Sequence, residues 1–71
     1  MVKELKIKSI SDMKLLNGVA TTSQYDVGVH SGSTIVDAKS LLGLLSLDYT
    51  QPILCVTEEE RFFKKIKGIL A

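Results

Sequence analysis

Residues 25–38 read YDVGVHSGSTIVDA, two alternating runs on either side of Ser31 and Gly32. A period of two marks strands with one buried face, and a Ser-Gly pair between two such runs marks a turn. The stretch therefore predicts a β-hairpin, with Val27 and Val29 on one face and Thr34, Val36 and Ala38 turned toward the same core. The period then changes. Residues 39–47, KSLLGLLSL, are rich in leucine and poor in β-branched residues, and Leu41, Leu44 and Leu45 form a stripe suited to a short helix. Gly43 in the middle of that helix points to close packing or a tight turn.

Downstream, DYTQP breaks the chain, and ILCV after Pro52 is apolar and β-branched enough for a buried strand. Thr57 followed by Glu60 has the spacing of a capping box, and the acidic run at 58–60 suits the positive end of a helix dipole. The helix that follows is amphipathic: Phe62, Phe63, Ile66, Ile69 and Leu70 supply a buried side, and Lys64, Lys65 and Lys67 lie toward its carbonyl end.

Upstream, KELKIKS sets Leu5 and Ile7 against Glu4, Lys6 and Lys8, which predicts a first strand over residues 2–8. SISDMKLLNGVATTS predicts a helix capped by Ser9 or Ser11, with Met13, Leu16, Val19 and Ala20 on one side. Asn17-Gly18 lowers helix stability and is a turn signal, so a break there is one alternative. The order is strand, helix, strand, strand, helix, strand, helix. Helices alternating with a mostly antiparallel sheet can all cover one of its faces, which gives an α+β open-faced two-layer sandwich.

Seventy-one residues make one domain, and 45% apolar with 24% charged residues is a globular composition. Nine basic against eight acidic residues give a charge of +1, with KKIK the single basic block, so no nucleic-acid partner is expected. VKELKIKS lacks the apolar run of a signal peptide, no stretch is long enough for a membrane span, and the lone Cys55 has no disulfide partner. These features predict a cytoplasmic protein without membrane contact.

No Cys/His cluster has metal-ligand spacing, so neither a metal nor a cofactor is expected. Cys55 reads as a small buried apolar residue, since no neighbour in sequence lowers its pKa. His30, the one histidine, falls in the hairpin without a cap or an arginine and reads as a solvated strand-end residue. No nucleophile and base stand out as a pair, so the chain is not expected to be an enzyme.

Residues 33–48, STIVDAKSLLGLLSLD, resemble the serine-phosphorylation signature of HPr, the histidine-containing phosphocarrier family of the bacterial sugar phosphotransferase system. The likeness lies in the incoming strand, Lys39-Ser40, Leu41-Leu42, Gly43, and the spacing of Leu44 and Leu47. It extends upstream through SQYDVGV and more weakly to both ends.

The resemblance implies a phosphocarrier histidine at the start of the first helix, an arginine shortly after it, and a regulatory serine at the start of the second helix. Counting back from SQYD puts Ser11 at the histidine position and Met13 at the arginine position, and the family's proline has no counterpart here. A serine ester does not transfer phosphate as a phosphoramidate does, so relay is not expected.

The resemblance makes Ser40 the candidate for regulatory phosphorylation, with Lys39, Leu41, Leu44 and Leu47 as a neighbouring interaction surface. It implies protein partners, such as an HPr serine kinase or a transcriptional regulator. The second expectation is a structural or homo-oligomeric module with no phosphate chemistry, forming a homodimer through its sheet or its leucine-rich helix.

Overall fold

In the computed structural model, which describes residues 1–71, the chain runs β1 (Val2–Leu5), α1 (Ile10–Thr22), β2 (Val27–Ser31), β3 (Thr34–Asp37), α2 (Leu41–Leu45), β4 (Ile53–Thr57) and α3 (Glu60–Lys65), then a 3₁₀ turn at Lys67–Ile69. The four strands form one antiparallel sheet in the order β1-β4-β2-β3. The fold is an α+β open-faced sandwich, as the element order predicts.

Strand register explains why one face of the sheet is dry. Val29 pairs with both Val36 and Cys55, Ile53 with Leu5 and Ser31, and Val27 with Thr57. Paired residues share a face, and these are buried except for half-buried Val36. They pack with Leu16 and Ala20 of α1, Leu44 of α2, and Phe62, Phe63 and Ile66 from the last segment. The opposite face carries Val2, Glu4, Leu54, Val56, Gly28, His30, Ile35 and Asp37, and none of these is buried.

The hairpin closes through Gly32 and Ser33. Gly32 has φ +59, the left-handed backbone that a type II′ turn requires at its first central position. Thr34 at the start of β3 is exposed and does not join the core. Ala38, just past the strand, does: it is fully buried and its N–H donates to the Val27 carbonyl at 2.8 Å.

α1 is unbroken through Asn17-Gly18. The Asn17 side-chain amide donates to the Ala38 carbonyl at 3.0 Å, so this residue ties α1 to the segment leading into α2 instead of starting a turn. β1 is shorter than the 2–8 expected. Its last partner in β4 is Ile53, Pro52 before that has no N–H to continue the ladder, and Lys6 N–H instead donates to the Ile69 carbonyl at 2.7 Å.

The Thr57–Glu60 capping box does not form. Thr57 is the buried last residue of β4, its hydroxyl accepts from Glu59 N–H at 3.3 Å, and Glu59 occupies the cap position. The final helix ends at Lys65, because Ile66 leaves helical geometry at φ −120 and ψ 30. The residues expected on its buried side still face inward, with Leu70 half-buried.

Candidate functional site at the start of α2

Four residues build the entrance to α2. Asp37 ends β3, and its carbonyl accepts from Ser40 N–H at 2.9 Å while its carboxylate accepts from Lys39 N–H at 2.9 Å. The chain is thereby turned back toward the helical layer. Ser40 is the N-cap: its Oγ accepts from Gly43 N–H at 3.1 Å, and its carbonyl accepts from Leu44 N–H at 3.1 Å. Ser40 is exposed, and Lys39 is half-buried beside it.

Gly43 lets this entrance close onto the sheet. A Cβ there would stand 3.2 Å from Val36 Cβ, so the first turn of α2 lies against β3. That contact decides which leucines point inward. Leu44 is fully buried and Leu47 is 7% exposed, so neither belongs to a surface around Ser40. Leu41 is half-buried.

The leucines that face water are Leu42 at 81% and Leu45 at 47% exposure, three residues apart on one side of the helix. Leu45, expected in the stripe with Leu41 and Leu44, thus faces out: with Gly43 against the sheet, Leu44 and Leu47 turn inward and Leu42 and Leu45 turn out.

Ser11 lies in the first turn of α1 and is exposed. It is not the cap. Ser9 is, with its Oγ accepting from Asp12 N–H at 3.3 Å, while the Asp12 carboxylate accepts from Lys8 N–H at 2.8 Å. An anion arriving at Ser11 therefore meets a carboxylate already engaged at that helix end, and Met13 offers no charge to clamp it.

The remaining titratable groups lie elsewhere. His30 is half-exposed, next to last in β2, on the open face of the sheet, and lines a shallow depression of about 480 Å³ together with Tyr25, Asp26 and Glu58. Cys55 is buried in β4, and burial pushes its thiol up to about 11, which keeps it protonated and unreactive at neutral pH. Glu59 accepts a bond from the Ser23 hydroxyl at 3.0 Å, linking the end of α1 to the start of α3. No group of three or more His, Cys, Asp or Glu residues is placed to hold a metal ion, and no helix is long and apolar enough to cross a membrane.

Fold and site together define a small α+β open-faced sandwich with a serine-capped short helix at its surface. Comparison with protein-family models, with curated proteins and with solved structures finds no match to this chain.

Proposed function

We propose that this chain is a cytoplasmic, HPr-like protein-binding domain that regulates through Ser40 and does not relay phosphate. One observation carries the reading: an exposed serine hydroxyl sits at the entrance to a short helix whose outer side presents Leu42 and Leu45. An apolar pair next to a modifiable hydroxyl is a surface whose partner preference changes with charge. A phosphate on Ser40 adds nearly two negative charges beside those leucines, favouring a partner with basic groups over one that covers the leucines alone. The chain is not an enzyme in this reading, and its partners are proteins such as a serine kinase or a transcriptional regulator.

The test uses the pure protein in two reactions. With an HPr serine kinase and ATP, acid-stable phosphate is expected on Ser40 and is absent from Ser40→Ala. With the phosphoenolpyruvate-dependent enzyme of the relay, no acid-labile phosphate is expected. Acid-labile phosphate in that second reaction overturns the reading, and a Ser40 that the kinase ignores removes its regulatory half.

A second reading, a homo-oligomeric module without phosphate chemistry, draws on a different observation. β3 is an outermost strand, and its Ile35 is 65% exposed.

A further inference from the structure

We infer that the outer edge of β3 is a self-association site, where a second copy of this chain pairs antiparallel about a two-fold axis at Ile35; the inference rests on the second reading just given. The two edges of the sheet differ. Along β1, Lys6 N–H donates to the Ile69 carbonyl, Ala71 N–H donates to the Glu4 carbonyl at 3.0 Å, and Leu5 bridges Leu70. Residues 69–71 cover the Glu4–Lys6 end of that side, and no strand covers β3.

Hairpin phase shows which β3 groups are free. A two-residue turn is closed by the hydrogen-bonded pair Ser31–Thr34, and the bond from Ala38 N–H to Val27 keeps the same phase. Thr34 and Val36 thus turn their backbone groups toward β2, while Ile35 and Asp37 turn theirs outward. The Asp37 carbonyl is already taken by Ser40 N–H. Ile35 therefore offers an N–H and a carbonyl together, and the strand TIVD carries no lysine, proline or bulge to guard them.

A second copy fits this edge better than an arbitrary strand, because pairing about Ile35 is self-complementary. The two Ile35 residues exchange both hydrogen bonds, and their side chains meet on the open face of the sheet. Asp37 of one copy then falls opposite Ser33 of the other, so the carboxylates stay apart. Centring the axis on Val36 would set Ile35 against Asp37 instead. A two-fold contact uses the same β3 edge on both copies, so it closes as a dimer.

Area sets its strength. A four-residue edge about 13 Å long and roughly one strand spacing, about 5 Å, across covers far less than the ~800 Å² per partner of a stable interface. Ile35, 65% exposed, supplies the apolar contact of this edge. The dimer is accordingly weak and concentration-dependent.

Sedimentation velocity on the full chain from about 10 μM to about 1 mM, with amide chemical shifts over the same range, tests this. The expected result is a mass rising toward the dimer, with shifts confined to residues 33–37 and the adjoining turn of α2. Ile35→Lys is expected to remain monomeric. Ile35→Thr, which keeps the β-branch and so the strand, raises the dissociation constant at least about tenfold. Under mild oxidation Ile35→Cys gives a disulfide-linked dimer, while Glu4→Cys, where Ala71 N–H already takes the backbone carbonyl, does not; buried Cys55 is common to both. A chain that stays monomeric throughout overturns both the site and the second reading. A dimer that survives Ile35→Lys and leaves residues 33–37 unshifted overturns the site while self-association stands.

Discussion

Gly43 and Val36 meet at the joint between helix and sheet, where a Cβ added to the glycine would stand 3.2 Å from Val36 Cβ and 3.3 Å from Ser40 Oγ. A β-carbon rooted in a strand yields less than the tip of a long side chain. Gly43→Ala gains about 1 kcal/mol of helix propensity but forces an overpacked contact that costs about 1–3 kcal/mol, so a net loss near 1 kcal/mol is expected. Gly18 is the control, since a Cβ there meets nothing within 4 Å. Gly18→Ala is expected to stabilise by about 0.5–1 kcal/mol. Urea denaturation of the two variants should move the midpoint in opposite directions, and a stabilised Gly43→Ala would show the joint to be slack.

Leu42 and Leu44 are two residues apart and have opposite roles. Leu44→Ala removes a fully buried side chain and is expected to cost about 2–5 kcal/mol. Leu42→Ala should change stability by less than about 0.5 kcal/mol, because the side chain is 81% exposed. If a partner covers this helix, the same substitution weakens binding while the melting temperature stays put. Calorimetry paired with a binding titration separates the two effects.

The three serines at helix starts should not respond alike. Ser9→Ala and Ser40→Ala each remove a capping acceptor and are expected to cost about 1 kcal/mol. Ser11→Ala removes no such bond, and a change of only a few tenths of a kcal/mol is expected. Equal losses at Ser9 and Ser11 in thermal unfolding would refute the assignment of the α1 cap.

Alkaline pH should loosen the fold through Cys55 and Tyr49. Burial raises both groups, the thiol from 9.0 to about 11. The native chain then holds protons that the unfolded chain has already released, so stability is intact below about pH 9 and falls as pH rises through about 11. Denaturation at pH 8 and pH 11 measures the drop, and Cys55→Ala is expected to shrink it. Asp48 works in the other direction. Its carboxyl is lowered by the Thr50 hydroxyl and then by Thr50 N–H, so its contribution is present above its ordinary value of 3.8 and fades as pH falls below that. The group is exposed, and the acid-side effect is correspondingly small.

Much of the fold was legible because its strands alternate. Val27, Val29, Ile53 and Cys55 sit at every second position, and burial follows that pattern. What the sequence hid depended on contacts between distant segments. Asn17-Gly18 reads locally as a turn, yet Asn17 finds the Ala38 carbonyl 21 residues away and the helix continues. Thr57 and Glu60 have capping-box spacing, but the ladder with Val27 claims Thr57 for the sheet. At the candidate site, Ser40 as a cap was readable from its position before a leucine run. Which leucines face outward was not, because that depends on Gly43 lying against Val36, a contact between helix and strand that no local period encodes.

The sheet order has a kinetic consequence. β4, the last strand made, lies between β1 and β2, and Val56 pairs with Val2 across nearly the whole chain. The β2–β3 hairpin and α1 need only neighbours in sequence and can form early. β4 reaches β2 across 22 to 30 residues, but it meets β1 only across 48 to 54, so the longest loop closure must precede the β1–β4 pairs. Folding should therefore be limited by β4 docking, with substitutions at Cys55 or Ile53, which pair on both sides, slowing it more than equally destabilising ones in the hairpin turn.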